Sequence, residues 1–395
     1  MTASRCYLNE LGMLCAAGES TAAVKQNLLS GKTNLTDSDA YSAGHFLPLG
    51  LYQGNLPAVP LLDKKWHSRN NQFALCALYQ IEKEVATAID RYGRFKVAVI
   101  IGTSTSGIAE TEFAIKQWLG NGSVPPSYDY GQQEPGATAQ FIAKVLDIKG
   151  PTYGISTACS SGAKALAAAR RLLRAGICDA VVAGGVDTLC QLTVSGFTSL
   201  ESVSASRCNP FSKNRNGINI GEGAALFLVT SEEGGVELTG VGEGSDAYHI
   251  SAPDPSGAGA VRCMKGALDD GQVAASAVGY VNLHGTATAL NDKMESIAME
   301  KVFGLGTLCS STKPFTGHTL GAAGAIEAGI CWLTLIGGDK ELLPLHIWDG
   351  VRDPELPPIN LVSTASRLDT PLSYVLNNNF AFGGNNISLL LGRIH

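Results

Sequence analysis

ISTACSSGAKALAAARRLLRAG, residues 155–176, contains a change of structure. An apolar strand stops, a turn of small residues follows, and Ala163–Ala175 reads as a helix that ends at Gly176, where a helix-capping glycine belongs. Helices with sides this small usually lie inside a protein, packed closely on sheets. The same order of strand, loop and buried helix echoes through the chain: VAVIIGTSTSG (97–107) precedes this stretch, and VGYVNLHGTAT (278–288) precedes CSSTKPFTGHTLGAAGAIEA (309–328). Val97–Ile101, Ala180–Ala183, Ala225–Val229 and Tyr280–Leu283 are short apolar runs of the kind that form buried parallel strands. Ala322–Leu335 reads as a second interior helix. Alternating strands and helices predict an α/β protein, built from two duplicated halves. The changeover falls in SEEGGVELTGVGEG (231–244), dividing the chain into residues 1–240, with the Cys159 turn, and 241–395. No low-complexity linker separates the halves, so they are expected to pack tightly. Residues 31–63, dense in Gly, Pro, Ser and Asn, are expected to be irregular surface chain.

Composition narrows the function. With 45% hydrophobic and 16% charged residues, the 395-residue chain is neither disordered, collagen-like nor coiled coil, and is long enough to bury a substantial core. The net charge of −6 and the lack of any run of like charges argue against a nucleic-acid footprint or a polybasic membrane patch. Ten scattered cysteines without a C-x-x-C pair suggest neither a zinc cage nor a disulfide framework, but reduced thiols of a cytoplasmic protein. No stretch approaches the roughly 18 uninterrupted apolar residues of a membrane span. A soluble cytoplasmic protein is expected, with no metal.

Five side chains stand out as chemistry. Cys159 lies where the strand meets the small-residue helix, and a helix N-terminus favours a thiolate. Against this stands the ordinary role of a cysteine as one more buried side chain. His284 follows a strand in VNLHGTAT, beside Gly285 and the hydroxyls of Thr286 and Thr288. His318 is read as starting the helix in STKPFTGHTLGAAGAIEA, where exposed helix N–H groups disfavour imidazolium. Glu327, on that otherwise apolar helix, demands a partner, and Lys313 is the natural one. A nucleophile, two histidines and a Lys/Glu pair at loop and helix starts fit an acyl-transfer site.

The chain resembles the β-ketoacyl carrier-protein synthases, the Cys-His-His condensing enzymes of the thiolase superfamily. The resemblance covers nearly the whole chain and rests on TACSSG around Cys159, PFSKNRNGINIGEGAALFLV (210–229), GSDAYHISAPDPSGAG (244–259), VNLHGTAT, STKPFTGHTLGAAGAIEA and NNNFAFGGNNISLLL (377–391). It implies a thiolase-like five-layered αβαβα fold from two duplicated halves, a dimer, and a site where the halves meet. It implies that Cys159 carries the growing acyl chain as a thioester, and that His284 and His318 donate N–H bonds to the malonyl thioester carbonyl while carbon dioxide leaves. Lys313 and Glu327 become the supporting pair. The Cys159 and Phe382 backbone N–H groups become the oxyanion hole, with Phe382 also a gate over the acyl pocket. Thr286 and Thr288 match the hydroxyls that hold the phosphopantetheine arm. That arm is brought by the substrates on acyl carrier protein, so no resident cofactor is implied.

The chain departs from the family pattern at Ser212 and Asn216, where aspartates are usual, and at Ile218, where an aromatic residue is frequent. Thr103–Ser106 replaces a glycine-dense segment that, in the resembling enzymes, lines the far end of the acyl pocket from across the dimer. Its hydroxyls suit a polar or flat acyl terminus, as in polyene, aryl-polyene or polyketide assembly rather than saturated fatty acid synthesis, unless they bond their own local backbone. An acidic carrier needs a basic landing site, for which Lys64, Lys65 and Arg69, or Lys213 and Arg215, are the candidates. The second subunit is either an identical copy or a paralogous chain-length-factor subunit. A non-catalytic chain-length factor would usually lack the nucleophile, whereas Cys159 is present. A coenzyme A-dependent thiolase would carry a second cysteine in the terminal glycine motif, which here reads FAFGGNN.

Overall fold

The computed structural model describes residues 5–42, 44–337, 343–368 and 370–394. The first half runs β1 (Tyr7–Cys15), α1 (Thr21–Ser30), β2 (Thr36–Ser38), β3 (Leu47–Leu49), α2 (Arg69–Tyr79), α3 (Glu82–Tyr92), β4 (Val97–Gly102), α4 (Ile108–Asn121), α5 (Ala137–Val145), β5 (Thr152–Ile155), α6 (Ser161–Arg174), β6 (Ala180–Asp187), α7 (Gln191–Ser199) and β7 (Gly223–Thr230). The second runs β8 (Val236–Ser245), α8 (Ala258–Gly271), β9 (Val278–Asn282), α9 (Ala289–Phe303), β10 (Leu308–Ser310), α10 (Lys313–Thr316), α11 (Ala323–Ile336), β11 (Asn360–Leu361), β12 (Tyr374–Phe380) and β13 (Asn385–Arg393).

Strand order makes the duplication explicit. One half reads β1-β7-β6-β4-β5 and the other β8-β13-β12-β9-β10, with β11 added at the far edge. In each, the first two pairings are antiparallel and the next two parallel. The halves join through a short antiparallel contact of β1 with β8, Tyr7 opposite Glu237 and Leu8 opposite Val236. The second repeat therefore starts at Val236, and residue 240 lies inside its first strand.

Helices α6 and α11 lie between the inner faces of the two half-sheets, in one core that takes in Ala98, Phe227, Tyr280, Leu389 and both helices. The outer face of the first half-sheet packs on α2, α3 and α5, and that of the second on α8 and α9. These are the five layers that the resemblance implied. Inside the central layer the backbones of α6 and α11 touch: a Cβ on Gly162 would stand 2.9 Å from Ala325, and one on Gly324 would stand 2.8 Å from Ala163. That contact explains the small residues of both helices, since only glycine and alanine permit it.

The segment 31–63 departs from expectation. It holds the paired strands β2 and β3, buries Leu47 and Leu49, and bonds Gly50 to Ile220, because its leucines pack on Ile218 and Ile220, the stretch that bridges to His318, and on Leu320.

Candidate active site

Cys159 sits in the turn between β5 and α6, one residue before the N-cap Ser160, so its sulfur lies at the start of that helix. Ala158 adopts φ +53°, a left-handed conformation held by Ser161, whose Oγ donates to the Ala158 carbonyl at 2.6 Å and accepts from the Thr157 amide at 2.8 Å. The expected lowering of the thiol pKa is not found. Burial pushes Cys159 up to about 11, and this outweighs the nearby Lys313 charge and the backbone N–H groups of Phe382 and Cys159 that face the sulfur. The resting group is a thiol, and those two amides are the pair expected to form an oxyanion hole.

His318 Nε2 stands 3.0 Å from Cys159 Sγ. The His284 and His318 rings meet edge to face, with centroids 5.4 Å apart. Burial first, then the Lys313 charge, holds both imidazoles well below their ordinary pKa, so both are neutral. For His318 this replaces the expected cause. The residue does not begin a helix, since α11 starts at Ala323. It lies in a turn whose amide donates to the Asn219 carbonyl at 2.6 Å and whose carbonyl accepts from Gly221 at 2.9 Å.

Lys313, at the start of α10, and Glu327, in α11, form the expected pair at 2.5 Å, both buried. Lys313 Nζ also donates to the His284 carbonyl, while Asn379 Nδ2 donates to the other Glu327 oxygen at 2.5 Å. Burial raises the Glu327 carboxyl and these partners oppose it.

Two carboxylates that sequence reasoning missed hold the His284 loop from α9. Glu295 accepts the amides of His284 at 2.8 Å and Gly285 at 2.7 Å, and Asp292 accepts those of Phe211 at 2.7 Å and Ala287 at 3.2 Å. Their spacing of three residues in the helix after VNLHGTAT was the available signal. Burial pushes Glu295 up to about 7 and Asp292 to about 6.

A cavity of about 340 Å³ opens onto Cys159, His284 and His318, with Thr286, Thr288 and Phe382 in its wall. The two threonine hydroxyls share a 3.0 Å hydrogen bond. The Phe382 ring rests 5.5 Å from that of Phe197, and the chain beyond it passes through Gly383 and Gly384, both at positive φ. Cys159, His284 and His318 also have the mutual spacing of a metal-binding group.

Other expected residues lie elsewhere. Lys64 and Lys65 are outside the cavity wall, with Lys65 beside Asp63 and over the Trp66 ring. Arg69 is half-buried and pairs with the buried Glu222, with Nε donating at 3.0 Å. Arg215 does line the cavity but pairs with Asp353 at 2.5 Å, while Lys213 is exposed. Asn216 lines the cavity mouth and accepts the Ser204 hydroxyl at 2.6 Å. Three of the four hydroxyls in Thr103–Ser106 are taken up within the chain: Thr103 and Thr105 donate to Asp187 at 2.6 and 2.8 Å, and Ser106 to the Glu134 carbonyl at 2.8 Å. They are not free to recognise a polar acyl terminus. The fourth, Ser104 Oγ, has no partner among the described residues.

Two family models match the chain, "Beta-ketoacyl synthase, N-terminal domain" over residues 65–234 and "Beta-ketoacyl synthase, C-terminal domain" over residues 236–339. The 3-oxoacyl-[acyl-carrier-protein] synthase 2 of Staphylococcus aureus (strain COL) is 30% identical, with 98% of this chain and 97% of that protein covered. The protein of the same name from Coxiella burnetii is also 30% identical, over the full length of both. Among solved structures, a chain of the complex of a ketosynthase (ApeO) with its chain length factor (ApeC) from Xenorhabdus doucetiae is 43% identical, with TM-score 0.94 over 99% of this chain and 98% of that one. A chain of the ishigamide ketosynthase/chain length factor is 26% identical, with TM-score 0.87 over all of both chains.

Proposed function

The chain belongs to the beta-ketoacyl synthase family and is a condensing acyltransferase, and from that premise we propose how this site elongates an acyl chain. The observation that carries the reading is the meeting of one thiol, two neutral imidazoles and two backbone donors at a single point of the cavity.

Cys159 attacks the acyl thioester of a carrier protein, and its proton goes to the departing carrier thiolate. The Cys159 and Phe382 amides receive the oxyanion. Malonyl carrier protein then enters with its phosphopantetheine arm along Thr286 and Thr288. N–H donors of His284 and His318 take the negative charge that builds on its thioester oxygen as the bond to carbon dioxide breaks. The resulting carbanion attacks the acyl-cysteine carbonyl. The tetrahedral adduct collapses, releasing the Cys159 sulfur and a β-ketoacyl carrier protein. Neutral rings suit this role, because a neutral imidazole N–H donates a hydrogen bond to the oxygen without surrendering its proton to it. The Lys313/Glu327 pair holds the His284 carbonyl and forms no covalent bond, and the chemistry needs no resident metal or cofactor.

The second subunit we propose is a paralogous chain length factor, with this chain as the catalytic half because it retains Cys159. Support comes from the two-subunit relatives, from the open edge of β5, which pairs with β4 alone among the described residues, and from Phe113, Trp118 and Leu119 exposed on α4. The acyl substrates we propose are of aryl-polyene type. That proposal now rests on the similarity to the X. doucetiae complex, since the hydroxyl argument lost three of its four groups.

The test is to load the protein from a panel of acyl carrier proteins and follow it by mass spectrometry. Wild type gains one acyl group on Cys159 and releases carbon dioxide from malonyl carrier protein. Cys159→Ala gains none, and His284→Ala and His318→Ala acylate normally but lose about 10²- to 10³-fold in decarboxylation. An acyl adduct on Cys159→Ala would refute the assignment of the nucleophile.

A further inference from the structure

Asp187, the last residue of β6, is a fully buried carboxylate that the mechanism above leaves unused. It is held entirely by neutral donors: the hydroxyls of Thr103 and Thr105 at 2.6 and 2.8 Å, the amides of Ser104 and Thr105 at 2.8 and 2.9 Å, and the Gly321 amide at 2.6 Å. No basic side chain pairs with it among the described residues. Burying a carboxylate without a cation is costly unless its lone pairs are filled, and here they are filled from two places. Four donors come from the loop after β4, in the first half of the molecule. The fifth comes from the turn that carries His318, in the second.

That turn is bent into a shape that glycine allows at one position and leucine resists at another. Gly317 adopts φ +70°, and Leu320, with a bulky side chain, adopts φ +50°. Such conformations persist where the surroundings over-determine them. The His318 backbone is gripped by Asn219 and Gly221 on its near side. On its far side, directly after the strained Leu320, the grip is Asp187 on Gly321. The fit leaves no slack, since a Cβ at Gly321 would come within 2.7 Å of Asp187 Oδ2 and of the Ser104 amide.

We propose that Asp187 is a positioning residue for the condensation: through the Gly321 amide it holds the strained turn that aims His318 at Cys159 and at the malonyl carbonyl. This rests on the role given to His318 above. Hydrogen bonds to a charged acceptor are about twice as strong as neutral ones. An asparagine here would keep the volume, lose the charge and turn an N–H₂ group toward N–H donors.

The experiment compares Asp187→Asn, Thr103→Val and His318→Ala with wild type in two separate readings, acyl loading of Cys159 and carbon dioxide release from malonyl carrier protein. Asp187→Asn is expected to load within about threefold of wild type and to lose 10- to 100-fold in decarboxylation. Thr103→Val, which removes one of the five donors and the acceptor of the Ser106 amide but keeps the three backbone amides on Asp187, is expected to show the same split at a few-fold, and it decides the matter if Asp187→Asn fails to fold. Equal losses in both readings, or none in either, would mean that Asp187 merely stabilises the fold and would overturn the proposal. If His318→Ala itself decarboxylates normally, the role of His318 falls and this inference with it. If His318→Ala loses decarboxylation while Asp187→Asn and Thr103→Val keep it, only the inference fails.

Discussion

At Cys159 two effects oppose each other, burial that favours a thiol, and the Lys313 charge with the backbone donors that favour a thiolate. Burial wins, so the sulfur is unreactive until a substrate or base meets it. With the pKa near 11, the thiolate fraction grows about tenfold per pH unit below that value. Alkylation of Cys159 by iodoacetamide, followed on its peptide by mass spectrometry, should therefore rise about tenfold per unit between pH 7 and pH 10. A rate that is flat above pH 8 would mean the thiol is already ionised there. The Lys313/Glu327 pair makes a second prediction. Lys313→Met removes the cation and leaves a buried carboxylate uncompensated, which typically costs about 3–5 kcal/mol. Without its partner the Glu327 carboxyl rises further, so it is protonated as pH falls, and protonation removes the unpaired charge. The raised folded-state pKa means the deficit grows as pH rises, so the loss of melting temperature should be larger at pH 8 than at pH 5.5. An equal loss at both would show that packing, not charge, is what the lysine supplies.

At the scale of elements, α6 and α11 meet through paired small residues, Gly162 on Ala325 and Ala163 on Gly324. Gly324→Ala would place a methyl group 2.8 Å from Ala163 and from Asn379 Oδ1, whose amide group also holds Glu327. Overpacking of this kind costs about 1–3 kcal/mol. The same substitution at Gly196 in α7, where nothing lies within 4 Å, should instead be neutral or stabilise by up to about 1 kcal/mol. Thermal unfolding of the two variants checks the contrast. This contact also explains what could be read in the chain before folding. The alanine and glycine runs identify α6 and α11 because their composition is dictated by the crossing itself, and the uninterrupted apolar runs identify β4, β6, β7 and β9 because both faces of those strands are covered. The Lys313/Glu327 pair was readable because a carboxylate on an apolar helix needs a cation. Asp292 and Glu295 left only their three-residue spacing after VNLHGTAT, because they are held mainly by backbone amides, which leave no mark in a sequence, and Asp187 left none, because its donors lie 82 to 134 residues away. The His318 turn was misplaced onto a helix for a related reason: its shape comes from Asn219, Gly221 and Asp187, none of them neighbours in the chain.

For the molecule as a whole, the repeat divides the labour. The first unit supplies the nucleophile and the second both histidines and the Lys/Glu pair, so neither unit alone contains a working site. The cavity between them depends on how the units are held, and among the described residues their strands β1–β13 pair across the units only in the short contact of β1 with β8. The first residues of β8 are flanked on one side by the start of β1, Tyr7 opposite Glu237, and on the other by the end of β13, Gly392 opposite the same Glu237. At about 4.8 Å per strand spacing, Tyr7 and Gly392 are about 10 Å apart. The order in which the chain visits its two units is thus free of the architecture. A circular permutant that links the region of Arg393 to that of Arg5 by a short glycine-serine bridge, and opens the exposed turn at Glu232–Glu233, should fold with its histidine unit first, accept an acyl group on Cys159 and condense at a rate within tenfold of the parent. A permutant that folds yet cannot be acylated would mean that the 231–235 connection itself shapes the nucleophile's half of the cavity.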